Sequence, residues 1–289
     1  MKICILLTTY NREKVTMRAL DSIDDENLYI DYLVVDDDSS DGTRQAIRDW
    51  NNRENPGDTG EEEITQRRSE GDLRIIRGSG SLYWAGGMRR GMEELLKNDS
   101  GYDYLVMIND DVVFYPGALT KMIGRSKEKG DAPVSGAVRD SKGRISYGGV
   151  VYDMKKAKPT QVDITEADTG PLDAMNCNCF LLPWEIFCKA GAFDPHYVHS
   201  LADYDYGFRL KSLGVSVWLT AEFVGECDDN DIAGTWRDRT LPRLARLKKK
   251  EAVKGLPRKQ WYYYLKKNFG LSQALWHSLT PYIRILLGM

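Results

Sequence analysis

The sequence predicts an α/β fold: a mostly parallel central sheet flanked by helices, a smaller mixed or antiparallel half, and a helical C-terminal segment. Short apolar runs at 3–7, 32–35, 73–77 and 104–108 lack the inside–outside alternation of a half-exposed strand, which is the pattern of strands buried on both faces. Helical stretches separate them, and strand–helix alternation of this kind builds parallel sheets.

The first run, Ile3–Leu7, passes into Thr8-Thr9-Tyr10-Asn11-Arg12 and a helix to about Ile23. Tyr32–Val35 leads to Asp36-Asp37-Asp38-Ser39-Ser40-Asp41-Gly42, a turn and helix-capping signal before a helix ending near Trp50. Residues 51–72 are polar, contain Glu61-Glu62-Glu63 and read as a surface insertion. The strand over 73–77 precedes Gly78-Ser79-Gly80 and a helix around 86–97, and the central strand over 104–108 follows. A helix is expected from Pro116 to about Lys129, then antiparallel strands and turns over 134–170 and a short strand near 174–182. A helix over 183–190, another opening at Asp203-Tyr204-Asp205, and a closing strand over 215–219 complete the body.

Composition sets the class. The 289 residues, 42% hydrophobic and 29% charged, suit a soluble enzyme with a large core. The net charge of −3 hides an asymmetry: residues 1–236 hold 27 Lys+Arg against 41 Asp+Glu, whereas 237–289 hold 13 against 2. Five scattered cysteines lack zinc or redox spacing, and Cys4 reads as a small hydrophobe within a strand. No apolar leader follows Met1-Lys2 and no apolar run spans a bilayer, so a reduced, cytoplasmic protein is expected.

Sheets of this type bind ligands at the carboxyl ends of their strands. Thr8–Arg12, Asp36–Asp41, Gly78–Gly80 and Asp110–Asp111 all fall at that edge. Adjacent carboxylates after a buried strand repel and are costly to desolvate. A hard divalent cation shared with a phosphate is their usual partner, and a water-facing pair is the alternative.

In order and spacing, Thr8–Arg12, Val34–Gly42, Leu82–Gly87, Asn109-Asp110-Asp111-Val112, Gly191–Asp194 and Asp203-Tyr204-Asp205 with Arg209 resemble the inverting nucleotide-sugar glycosyltransferases of family 2. The likeness is to the rhamnosyltransferase-like branch, with the GT-A fold, over roughly residues 1–230. It implies a nucleotide-sugar half (1–115), an acceptor half (116–236) and a C-terminal extension (237–289). Donor contacts would come from Thr8, Thr9, Tyr10, Arg12, Asp36, Asp37, Asp38, Gly80, Trp84 and Asp110, with Tyr10 available to stack on the base and Trp84 on the sugar. Asp111, with Asp110, would hold Mg²⁺ or Mn²⁺ at the diphosphate. Asp203 would be the catalytic base, its pKa raised by Asp205.

This chain departs from the family pattern in three places. Asn109 stands where many relatives have Asp, and Ala202 where they usually have Glu. No His lies between His199 and His277 to replace the family's His after the last strand, leaving Glu226, Cys227, Asp228 and Asp229 in that neighbourhood. His199, four residues before Asp203, is a further candidate near the acceptor.

The implied partners are a UDP- or dTDP-linked donor and a saccharide or polyprenyl-pyrophosphate-linked acceptor of surface polysaccharide synthesis. The basic tail, with Trp261–Tyr264 and an amphipathic stretch over 271–287, reads as a peripheral membrane element. Packing on the acidic body or a homodimer partner is the alternative, and no nucleic-acid motif is present. A nucleotidyltransferase would need a glycine-rich loop after the first strand, and a dinucleotide enzyme a glycine where Tyr83 stands. A non-catalytic carbohydrate-binding or assembly protein is the alternative from another class.

Overall fold

Apolar residues on both faces of the first strand organise the molecule. The computed structural model describes residues 1–25, 27–52, 66–68, 71–97, 101–228 and 232–289. The insertion expected over 51–72, with its Glu61–Glu63 run, lies largely outside the described residues.

In chain order the elements are β1 (Lys2–Thr9), α1 (Glu13–Asp21), β2 (Tyr29–Asp36), α2 (Thr43–Asn52), β3 (Gln66–Arg68), β4 (Gly71–Arg77), α3 (Tyr83–Leu95), β5 (Tyr104–Ile108), β6 (Val113–Phe114) and α4 (Ala118–Glu128). There follow β7 (Val134–Arg139), β8 (Ile145–Tyr147), β9 (Gly149–Asp153), β10 (Lys158–Gln161), β11 (Ala174–Met175), β12 (Cys179–Pro183), α5 (Trp184–Ala190), α6 (Ala202–Ser212) and β13 (Trp218–Glu226). The tail forms α7 (Arg243–Glu251), α8 (Arg258–Phe269) and α9 (Leu271–Leu286).

The main sheet runs β3-β4-β2-β1-β5-β12-β7-β13-β6, with β8 beside β7; a second sheet is β10-β9-β11. Strands β4, β2, β1 and β5 are parallel neighbours, while β12 runs antiparallel to both β5 and β7. Along β1 the side chains divide between two cores. Cys4 and Leu6 join Met88 and Met92 of α3, Tyr206 of α6 and Tyr264 of α8 on one face. Ile3, Ile5 and Leu7 join Leu20 of α1, Ile47 of α2 and Met122 of α4 on the other. Burial on both sides accounts for the unalternated apolar runs.

Register positions the site. Thr9 lies opposite Asp36, and Asp36 opposite Arg77, so three strands end level with one another. Leu6 pairs with Met107, which brings Thr9 and Asp110 to the same height at the edge.

The closing strand differs from expectation. It begins at Trp218 and extends to Glu226, and its pairing with β7 shifts register between Leu219 and Gly225. Exposed Ala221 and Glu222 interrupt its apolar pattern, which hides its length in the sequence. Beyond it, β6 forms the outermost position of the sheet.

Helix α6 sits directly on strand β11. A Cβ added at Gly207 would lie 2.7 Å from the Cα of Ala174 and 3.0 Å from the Asp173 carbonyl oxygen. Gly207→Ala is therefore expected to destabilise the fold by about 1–3 kcal/mol, the usual cost of overpacking. Chemical denaturation would check this, and an unchanged midpoint would show that α6 can lift off β11 without loss.

Candidate active site

The aligned loops frame a cleft of about 730 Å³. Two of its lining residues, Tyr83 (φ 55°) and Leu201 (φ 74°), are non-glycine residues in the left-handed region, and so are Asn11 (φ 52°) and Asp38 (φ 61°) in the neighbouring loops. Such strain concentrates where packing fixes a loop for a purpose other than stability.

Thr8, Thr9, Tyr10 and Arg12 line the cleft as the sequence suggested. The Thr8 hydroxyl donates to the Val35 carbonyl (3.0 Å), and the Thr9 and Thr16 hydroxyls bond at 2.8 Å. These bonds anchor the loop within the fold, whereas Tyr10 is 49% exposed and presents its ring to solvent.

The three consecutive carboxylates diverge. Asp36 is fully buried and takes the Arg44 guanidinium of α2, with Nε at 2.6 Å. Asp38 pairs with Arg77 at 2.6 Å. Neither lines the cleft, because each is held by an arginine beside it. Asp37 does line it, and its carboxylate accepts the backbone N–H groups of Gly80 (2.8 Å), Leu82 (2.8 Å) and Tyr83 (3.1 Å). Asp37 thus shapes the Gly78–Tyr83 turn and sets the start of α3.

Trp84 forms part of the wall, and its indole N–H donates to the Asn109 side-chain oxygen at 2.7 Å. This gives Asn109 a structural role: its amide oxygen orients the indole.

Asp110 and Asp111 share one cation. Arg12 Nη1 lies 3.3 Å from Asp110, and Nη2 donates to Asp111 at 2.9 Å. Desolvation still pushes the Asp110 carboxyl up to about 6, with Arg12 opposing and Asp111 reinforcing the shift. No group of three His, Cys, Asp or Glu side chains suited to a metal occurs among the described residues. The pair nevertheless fits a hard cation of the kind that keeps several waters and phosphate oxygens and takes only one or two carboxylates. Asp110 and Asp111 would hold it.

Among the described residues at and after the end of the last strand, Cys227 meets this pair, its thiol donating to Asp111 at 3.6 Å. Glu226 is instead bonded to Tyr115 and Arg139, and Asp228 to the Ser141 amide. Asp229 lies outside the described residues.

Asp203 lines the same cleft. Desolvation pushes its carboxyl up to about 6, against the Tyr204 and Cys177 backbone amides and the Asn176 side chain, which favour the ionised form. The expected cause, repulsion from Asp205, is corrected here. Two residues apart on α6, the side chains point to opposite sides of the helix, and Asp205 is buried against Lys267 (2.8 Å), Asn268 (3.1 Å) and Tyr197 (3.1 Å).

Tyr204, inside the Asp203–Asp205 motif, also lines the cleft, and four further lining residues have no signal in the sequence: Tyr147, Asn176, Asn178 and Lys254. Asn176 and Asn178 flank Cys177 in a short strand-like segment with no motif of its own. Lys254 sits in a basic tail, where one lysine looks like any other.

The molecule has a GT-A fold. A mannosyltransferase, PcManGT from Pyrobaculum calidifontis, solved with GDP-Man and Mn²⁺, matches with a TM-score of 0.61 at 12% identity over 99% of this chain and 73% of that one. S. aureus TarS 1-349, solved with UDP-GlcNAc, gives 0.53 at 14% identity over 100% and 72%. GalNAc-T7 with UDP, GalNAc and Mn²⁺ gives 0.58 at 10% identity over 99% and 56%. The comparison with curated proteins gave no match. The family model described as Glycosyl transferase family 2 matches residues 4–167, and the chain belongs to that family of glycosyltransferases.

Arg12→Ala would leave Asp110 and Asp111 without their guanidinium. The metal-free variant is expected to melt below the unsubstituted protein and to gain more on addition of MnCl₂, since arginine no longer competes with the cation. Thermal melts with and without Mn²⁺ would check this. Equal gains would show that Arg12 and the cation do not share the carboxylates.

Proposed function

We propose that the protein is an inverting, divalent-metal-dependent glycosyltransferase. It moves a hexosyl or rhamnosyl group from a UDP- or dTDP-linked donor to a saccharide or polyprenyl-pyrophosphate-linked acceptor in surface polysaccharide synthesis. The observation that carries this reading is one cleft lined by both an acidic pair suited to a cation and a separate, desolvated carboxylate, Asp203. The GDP-Man and Mn²⁺ bound by PcManGT, and the UDP, GalNAc and Mn²⁺ bound by GalNAc-T7, support the same assignment.

Inversion needs one displacement at the anomeric carbon. The acceptor hydroxyl attacks from the face opposite the departing diphosphate, and Asp203 takes its proton. A pKa near 6 keeps Asp203 ionised at neutral pH yet basic enough to accept that proton. Tyr10 stacks on the base, Asp37 holds the turn bearing Gly80 against the nucleotide, and Trp84 offers an indole face to the sugar. Bound at Asp110 and Asp111, Mg²⁺ or Mn²⁺ supplies charge neutralisation for the leaving diphosphate.

The C-terminal helices support a peripheral membrane contact through α9. No helix among the described residues is long and apolar enough to cross a membrane. Yet Leu271, Leu275, Trp276, Leu279, Ile283 and Leu286 are each 45–65% exposed and follow helical spacing along one side of α9. That helix carries Arg284 and no acidic residue. The Trp261–Tyr264 run does not share this role as expected. Tyr264 is fully buried, bonded to the Tyr152 hydroxyl at 3.0 Å and packed against Phe269, because α8 covers the body with its aromatic side.

Calorimetric titration with UDP, dTDP and GDP, with and without Mn²⁺, tests the donor site; Asp111→Ala is expected to abolish the manganese-dependent part of binding. Asp203→Asn should retain nucleotide binding while lowering turnover by roughly 10²–10⁴-fold. Because Asp203 acts ionised, turnover in the unsubstituted protein should fall as pH drops through about 6. Nucleotide binding without transfer or donor hydrolysis at any pH would favour a non-catalytic carbohydrate-binding protein. Sedimentation with phosphatidylglycerol vesicles tests α9: binding should weaken at least fivefold in Trp276→Ser/Leu279→Ser, and a concentration-dependent dimer lost in that variant would assign the face to a second copy.

A further inference from the structure

One wall of the cleft comes from the tail. The turn between α7 and α8 carries Lys254 into the lining beside His199, Ser200 and Leu201. That turn is tightly held. Gly255 N–H donates to the Ala252 carbonyl at 2.8 Å and Leu256 N–H to the Lys250 carbonyl at 2.8 Å. A Cβ on Gly255 would collide with the Lys249 carbonyl oxygen, so glycine is required for this path.

Lys254 forms no ion pair or hydrogen bond with any described residue. The neighbouring His199 is likewise incomplete: its Nδ1 is buried and without a partner. Burial and the Lys254 charge both push the imidazole below its ordinary value. The acid of the same cleft, Asp203, draws its hydrogen bonds from Tyr204, Cys177 and Asn176 and leaves Lys254 unpaired. Lys254 and the His199 ring line one cleft, and a free ammonium beside an imidazole that spends no Nδ1 hydrogen bond on the protein makes a binding place for an oxyanion. Arg12 serves the acidic pair, so these two groups are a second source of positive and donor character in the same cleft.

We propose that Lys254 and His199 form an oxyanion subsite on the Asp203 side of the cleft, selecting an acceptor that bears a phosphate or carboxylate near its attacking hydroxyl. This rests on the transferase reading above, since "acceptor" has meaning only there. It gives part of the basic tail a function in specificity, separate from any contact made by α9.

The test uses the full chain and a set of small probes: a hexose 6-phosphate, a hexuronate and the neutral hexose, titrated by ligand-observed NMR in the presence of Mn²⁺ and the nucleotide that binds best. The unsubstituted protein should bind one or both anionic sugars at least tenfold more tightly than the hexose, and which one distinguishes phosphate from carboxylate. Lys254→Ala should erase that preference, Lys254→Arg should keep most of it, and His199→Gln should reduce it, all with nucleotide binding unchanged. Equal binding of all three sugars by the unsubstituted protein would overturn the proposal. So would a preference that survives in Lys254→Ala. Loss of nucleotide binding in Lys254→Ala would reassign Lys254 to the donor diphosphate and overturn the acceptor-side subsite. Absence of nucleotide binding in the unsubstituted protein would overturn the transferase reading itself, and is told apart because it needs no variant.

Discussion

Negative charge gathered at the carboxyl edge of the sheet is the constraint on which the rest of this structure depends. Parallel register brings Asp36, Asp37, Asp110 and Asp111 to one rim, and each must be compensated there. The fold answers each differently. Asp36 receives Arg44, Asp37 receives three backbone amides, and the Asp110–Asp111 pair shares Arg12. Asp203 receives only hydrogen bonds and remains desolvated. Asp36 and Asp37, spent on Arg44 and on backbone amides, act as scaffold. The Asp110–Asp111 pair, held by a more exposed arginine, and Asp203 line the cleft and are left available for chemistry.

The acidic body and the basic tail are joined by this same electrostatics. Lys267 of α8 binds both Asp194 (2.9 Å) and Asp205 (2.8 Å), and the Tyr263 hydroxyl donates to Asp194 at 2.8 Å. Asp205 is buried beside these partners on α6, the helix that opens with Asp203. Docking of the tail therefore steadies the helix that presents the candidate base, and it places Lys254 in the cleft. Ion pairs of this kind add little net stability, since desolvation of the buried Asp205 offsets the attraction of the part-exposed Lys267. Its geometric effect, holding α6 in one orientation, is the greater one.

The departures from the family pattern acquire physical meaning in three dimensions. Asn109 is an orienting acceptor for Trp84, a task an amide oxygen performs without adding charge next to Asp110. Cys227 occupies the neighbourhood of the family's usual histidine and meets Asp111, although burial and the neighbouring carboxylate push its thiol up to about 12. Ala202 is buried at the start of α6, where an acidic side chain would have to be desolvated, and Asp203 beside it lines the cleft.

The sequence by itself determined the strand–helix order, the doubly buried strands and the convergence of Thr8–Arg12, Asp36–Asp41, Gly78–Gly80 and Asp110–Asp111 on one edge. These are local properties: apolar runs, turn residues and chain direction settle them before any packing is known. Tertiary structure alone decided which member of Asp36-Asp37-Asp38 faces the cleft, because that depends on where Arg44 and Arg77 arrive from other elements. It also decided that the aromatic run of α8 turns inward, that the raised pKa of Asp203 comes from burial and not from Asp205, and that Lys254 reaches the cleft. Each of these rests on packing between separate elements, with contacts such as Arg77–Asp38 and Tyr152–Tyr264 spanning 39 and 112 positions. Composition and periodicity carry no record of such contacts.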